Sequence, residues 1–66
     1  MNRYKVELGY THEDWNGKEV VCTEDSFAYN ADEAERDCVE CIERDGYKVT
    51  RVIGTWVYNG KYYGCV

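Results

Sequence analysis

Sixty-six residues make one domain with a single thin core, because a chain of this size buries only ~60 % of the surface its unfolded form exposes. The composition is 44 % hydrophobic and 15 % aromatic with no proline, which excludes a disordered tail, and no apolar run reaches the ~18–20 residues of a membrane helix. Thirteen acids against eight bases leave a net charge of −5. That balance argues against direct binding of nucleic acid or of an anionic membrane surface, both of which call for Lys and Arg, and favours a basic partner. The opening residues, Met1-Asn2-Arg3-Tyr4-Lys5, run straight into alternating sequence with no signal-peptide stretch, so a cytoplasmic protein is expected.

Residues 3–10 alternate: Tyr4, Val6, Leu8 and Tyr10 share one face, and Arg3, Lys5, Glu7 and Gly9 the other. This is the pattern of a half-buried strand. Asn16-Gly17 is the pair preferred in a two-residue type I′ turn, where both central residues take positive φ. A tight turn there sets Trp15 opposite Lys18, Val6 opposite Phe27 and Tyr4 opposite Tyr29, so the apolar residues of both arms meet. Leu8 against Asp25 fits this register badly, which predicts a bulge near Glu24-Asp25-Ser26. A wider loop over residues 11–18 is the alternative.

Asn30 is a favoured N-cap, with Glu33 placed to complete a capping box. Ala31, Ala34, Cys38, Cys41 and Ile42 recur at the spacing of one buried helical stripe, and Gly46 supplies a left-handed C-terminal stop. Beyond it Tyr47, Val49 and Ile53 share a strand face that Arg51 interrupts. Gly54 marks a candidate bulge, because Trp56 and Tyr58 fall on the opposite parity. Asn59-Gly60 turns the chain into a last strand, residues 61–65, and sets Trp56 opposite Tyr63. Hairpin, helix, hairpin predicts one α+β domain over residues 1–66. Its expected form is a four-stranded antiparallel sheet, order 2-1-3-4, with one helix on one face.

The whole net charge falls on the helical segment. Asp32, Glu33, Glu35, Asp37, Glu40, Glu43 and Asp45 meet only Arg36 and Arg44 there, while six acids and six bases balance elsewhere. A solvated face accounts for part of this: Asp32–Arg36 and Glu40–Arg44 are favourable pairs four residues apart, and acids suit the first turn. Glu43 and Asp45, however, oppose the dipole at the helix end, and Glu33 and Asp37 repel each other. Local stability alone does not choose these residues. Acids four apart recur every ~6 Å along a helix, the length scale of a nucleic-acid backbone. Asp32, Glu33, Asp37, Glu40 and Glu43, with Glu13 and Asp14, are therefore the candidate partner-binding residues.

Seven tyrosines and two tryptophans exceed what so small a core requires, and Trp15, Tyr58, Tyr62 and Tyr63 near the hairpin tips are candidates for exposure. The cysteines, Cys22, Cys38, Cys41 and Cys65, raise zinc and disulfide readings. Cys38 and Cys41 lie on the apolar helix stripe, and the expected register puts Cys22 with Glu7, Thr11 and Glu13 on the opposite face. Buried, reduced Cys38 and Cys41 are preferred, and no metal or other cofactor is assigned. His12, the one histidine, stands beside Glu13 and Asp14 in the loop, with nothing to orient it toward a cysteine nucleophile. No catalytic residue is assigned.

A short acidic chain with one helix on a small antiparallel sheet, and its charge gathered from Asp32 to Asp45, resembles the anti-CRISPR proteins. These are small phage-encoded inhibitors, several of which mimic nucleic acid. The resemblance is one of architecture and charge over the whole length. The class shares no diagnostic motif, so no residue role is carried over by position. It implies a binding-only inhibitor in the host cytoplasm that covers the nucleic-acid-binding surface of a basic protein or complex. The alternative is a small structural or adaptor module, zinc-stapled through its cysteines or assembled as a homodimer.

Overall fold

Alternation and capping build the elements much as the sequence predicts. The computed structural model describes residues 1–66. Strand β1 (Asn2–Thr11) is followed by a 3-10 turn (Glu13–Trp15), β2 (Val20–Ala28), helix α1 (Ala31–Arg44), β3 (Lys48–Tyr58) and β4 (Tyr63–Cys65). The strands form one antiparallel sheet in the order β2-β1-β3-β4, and α1 packs on one side of it. Tyr4, Val6 and Leu8 of the central strand meet Ala28 of β2 and Ala34, Cys38 and Ile42 of α1 in a single core. Val6 and Leu8 are completely buried, each burial worth ~1.5–3 kcal/mol. Small residues on both sides, Ala28 below and Ala34 and Cys38 above, are what the helix presents and receives at this contact.

Both helix ends are closed by the residues that announce them. The Asn30 side-chain oxygen accepts the Glu33 N–H at 2.8 Å, but the Glu33 side chain makes no return bond to Asn30, so only half of the expected capping box forms. At the other end Gly46 takes φ +96°, its N–H donates to the Glu43 carbonyl at 3.1 Å, and the Tyr47 N–H reaches the Ile42 carbonyl at 3.4 Å. This pair of bonds is a complete Schellman motif, which satisfies carbonyls that α1 would otherwise leave open.

The first hairpin departs from its expected register. Asn16 and Gly17 do adopt positive φ, and the Lys18 N–H bonds the Trp15 carbonyl at 3.1 Å, so the tight turn exists. The 3-10 turn, however, takes up Glu13–Trp15 on one arm only: the Trp15 N–H bonds the His12 carbonyl at 2.9 Å, and His12 Nδ1 accepts the Asp14 N–H at 3.1 Å. The ladder therefore slips by three residues. Val6 pairs with Glu24, Tyr4 with Ser26 and Leu8 with Cys22, rather than Val6 with Phe27 and Tyr4 with Tyr29. An odd slip turns every side chain of a strand over. Phe27 is consequently 64 % exposed on the bare side of the sheet, while Cys22 moves to the core side and packs against the cluster. The ladder from Asn2↔Ala28 to Tyr10↔Val20 is unbroken, so no bulge occurs at Glu24–Ser26.

Strand β3 carries the irregularities instead. Its pairing with β1 shifts between Glu7/Leu8 and again between Gly9/Tyr10, which leaves Ile53 and Thr50 as extra residues. The first lies beside Gly54, close to where the parity change points. The second is unannounced, and it separates Ile53, 42 % exposed, from the core-packed Tyr47 and Val49. In the second hairpin Tyr58 pairs with Tyr63 and Trp56 with Cys65, a slip of two from the expected register, and β4 is shorter than residues 61–65. The cause is Asn59, whose side-chain oxygen accepts the N–H groups of Lys61 (2.9 Å) and Tyr62 (3.1 Å) and holds a four-residue loop. An even slip keeps the faces as expected.

Gly9 has a specific role on the bare side. Glu19 lies across it and bonds the Thr50 hydroxyl and the Arg51 guanidinium (3.0 Å), so a carboxylate just before β2 reaches over β1 to β3. A side chain at Gly9 would collide with that carboxylate. These bonds hold the Glu19 carboxyl below its ordinary range, the Thr50 hydrogen bond foremost and Arg51 second.

Candidate protein-docking surface

The acidic surface is built on α1 because its inward stripe is short. Ala34, Cys38 and Ile42 face the sheet, so Asp32, Asp37, Glu40 and Glu43 are exposed and Glu33, bonded at the N-cap, is half-buried. Glu13 and Asp14 are exposed in the 3-10 turn. That turn lies at the end of the molecule where α1 stops: a cleft there is lined by Thr11, His12, Glu13, Gly17, Gly46, Tyr47 and Lys48. Glu13 thus borders the same cleft as the end of α1, together with Lys48.

None of the helix carboxylates lies within ion-pair distance of a cation. The two ion pairs of the protein are Arg3–Asp25 (3.4 Å) and Arg51–Glu19 (3.0 Å), both off the helix, and the Asp14 carboxylate lies 3.6 Å from His12 Nδ1. The expected Asp32–Arg36 and Glu40–Arg44 pairs are not formed. Glu35, the one helix acid with a partner, leans toward β3 and accepts the Thr55 hydroxyl at 2.7 Å, tying α1 to a buried threonine.

The slipped hairpin adds an acid that sequence reasoning missed. Glu24, turned to the helix side, borders a cleft of about 220 Å³ between β2 and α1, together with Asp25, Ser26, Asp37, Cys38 and Cys41. Burial and the surrounding negative charge, from Glu24 first and Asp37 next, push the Cys38 thiol up to about 11. Burial, with Glu24 adding to it, likewise raises Cys22. Both therefore stay neutral thiols near neutral pH, poor nucleophiles and poor metal ligands. Cys41, expected to be buried beside Cys38, is exposed at the open flank of the helix on the β2 side, and Cys65 is exposed on β4. No three His, Cys, Asp or Glu side chains converge in a metal-holding arrangement.

The aromatic residues divide in two. Trp15 is half-buried rather than free at a hairpin tip: it packs with Tyr10, His12 and Tyr47, ring centroids 5.4–5.9 Å away, and seals the end of the core. On the bare side of the sheet, Tyr58 and Tyr63 stack at 5.2 Å, Lys5 Nζ sits 4.5 Å above the Tyr63 ring, and Arg3 lies over Tyr58 at 5.8 Å. Tyr62 is exposed in the loop and Tyr63 is half-buried. No helix is long and apolar enough to cross a membrane. Comparison with protein-family models, curated proteins and solved structures finds no match to this chain.

Proposed function

We propose that the protein is a binding-only inhibitor that docks the acidic side of α1 on the phosphate-binding surface of a nucleic-acid-binding protein or complex, in the manner of the anti-CRISPR nucleic-acid mimics. The observation that carries this reading is the missing compensation on the helix. Six carboxylates within α1 share it with two arginines, yet every ion pair lies elsewhere. On the sheet Asp25 pairs with Arg3 of the adjacent strand and Glu19 with Arg51 across β1, whereas the negative row on the helix is left free for cations of a partner. Spacing supports the reading, because carboxylates one turn apart repeat on the ~6 Å scale of a phosphate backbone. Asp32, Glu33, Asp37, Glu40 and Glu43 form the row, Glu24 widens it toward β2, and Glu13 and Asp14 extend it past the helix end.

A charge-dominated interface predicts steep salt dependence and loss on charge reversal. Glu33→Lys with Glu40→Lys leaves the core untouched, so circular dichroism is expected to match wild type while binding disappears. The test is affinity capture from a bacterial lysate at low and high salt, with wild type and the double variant side by side. A captured nucleic-acid-binding complex should then be displaced by added DNA or RNA. Capture that survives both high salt and charge reversal, or that nucleic acid does not displace, refutes the mimic.

A further inference from the structure

Strand β2 is an open edge of the sheet, and strand order decides which of its backbone groups face outward. In a strand the N–H and C=O of one residue point to the same side, and successive residues alternate. Strands β2 and β3 run parallel, since each is antiparallel to β1. On β3 the helix-facing Thr55 directs its carbonyl to the β4 side, where it accepts the Val66 N–H at 3.0 Å. The same direction on β2 leads to β1. The helix-facing Cys22, Glu24 and Ser26 therefore bond β1, and Val21, Thr23, Asp25 and Phe27 turn their N–H and C=O groups to the open edge. Nothing in Val20–Ala28 blocks that edge: the strand has no proline, lysine or glycine, and its ladder has no bulge.

The chemistry beside this edge selects the occupant. The cleft between β2 and α1 borders it, lined by the half-buried Glu24 and the exposed Asp37, and neither carboxylate has a cation within ion-pair distance. A second copy of the strand fits badly, because antiparallel pairing centred on β2 sets Glu24 opposite Glu24. On the other side of the strand the exposed Val21 and Phe27 offer apolar neighbours. We infer that β2 takes up an extended segment of a partner protein as a fifth, antiparallel strand, with Lys or Arg at its helix-facing positions and uncharged residues between them. Nine residues at ~3.4 Å each give that segment about 30 Å of edge. Its basic side chains enter the cleft beside Glu24 and Asp37, while the residues between them bond the backbone of Val21, Thr23, Asp25 and Phe27. The two acids are shared with the docking row, but the inference rests on the strand edge and stands or falls apart from nucleic-acid mimicry.

The probe is a fluorescein-labelled heptapeptide, KVKTKVK, titrated with the full chain and read by anisotropy. Two further forms of equal charge are N-methylated, one at both valines and the other at the two inner lysines. In the antiparallel arrangement directly opposed residues share a face, so the valine N–H groups point at β2 and the lysine N–H groups point away. The parent peptide is expected to bind with a Kd below ~1 mM. Methylation of the valines is expected to weaken it at least ~10-fold through two lost backbone hydrogen bonds, and methylation of the lysines to leave it unchanged. Glu24→Lys is expected to weaken it at least ~10-fold, and Glu33→Lys/Glu40→Lys to weaken it less. In hydrogen exchange the amides of Val21, Thr23, Asp25 and Phe27 are expected to exchange fast in the free protein and to slow with peptide bound. Circular dichroism checks the fold of each variant, and the methylated pair decides the question on wild type if Glu24→Lys unfolds. No binding up to ~1 mM overturns the inference. Equal binding of the two methylated forms also overturns it and reduces the contact to charge attraction. Valine-specific loss in a protein whose lysate capture ignores charge reversal upholds strand addition and refutes only the mimic.

Discussion

The two sides of the sheet treat charge in opposite ways. On the bare side two acids are matched and one is not: Asp25 meets Arg3 and Glu19 meets Arg51 and Thr50, while Glu7 has no partner and Lys5 rests on an aromatic ring. On the helix side Arg36 and Arg44 sit among six carboxylates and engage none of them. The difference teaches that compensation follows geometry. Strands ~5 Å apart bring long side chains within reach of the next strand and, over the bare Gly9, of the one beyond, so pairing is easy there, whereas helix pairs cost side-chain entropy for a few tenths of a kcal/mol. The packing contrast runs the other way, since the helix side holds all the buried apolar residues and the bare side holds the exposed Phe27 and Tyr58.

The sharpest way to break this comparison is to truncate one residue from each side. Leu8→Ala removes a completely buried side chain and is expected to cost ~2–5 kcal/mol, whereas Phe27→Ala is expected to fall within ~0.5 kcal/mol under monomeric conditions. Urea titration at low protein concentration measures both, and equal costs would mean that the hairpin keeps the register its turn suggests. The helix cap is worth less. Asn30→Ala removes the acceptor of the Glu33 N–H and is expected to cost ~1 kcal/mol, read in the same titration.

The smallest effect is pH-dependent. Glu19 has its carboxyl held below the ordinary value of 4.5, so it binds protons less readily folded than unfolded. Its contribution is present above that value and is lost as pH falls through the lower folded value. The melting temperatures of wild type and Glu19→Gln are therefore expected to differ at pH 7 and to converge in acid. A constant difference across that range would show that the strap over Gly9 acts through packing and not through charge.

Much of the fold was legible because its signals are local. The alternation of Tyr4, Val6 and Leu8 marked the central strand, Asn30 and Gly46 bounded the helix, and hairpin-helix-hairpin connectivity sufficed for strand order. The hairpin register was not legible: Asn16-Gly17 takes the positive φ its turn demands within the wider loop that was the alternative, whereas Asn59 does not and holds a four-residue loop through its side chain. A 3-10 turn held by His12 lengthens one arm by three residues, and nothing in Glu13-Asp14-Trp15 announces it except the poor match of Leu8 with Asp25. That slip hid Glu24 from the acidic side and brought Phe27 into the open. The acids of α1 were located correctly because a helix face is fixed by local periodicity. Their freedom from Arg36 and Arg44, and the turn of Glu35 toward Thr55, depend on side-chain packing that spacing does not encode.

The two rims of the sheet are unequal. Strand β4 covers only Trp56–Tyr58 of β3, and the uncovered stretch is broken by extra residues at Thr50 and Ile53, while β2 offers nine unbroken residues along the opposite rim. Strand-by-strand polymerisation needs two compatible rims on every molecule, so that each newcomer exposes a fresh template for the next. Here only one rim can serve. Any association through it is self-terminating, which protects a tyrosine-rich chain without proline from growing into fibres.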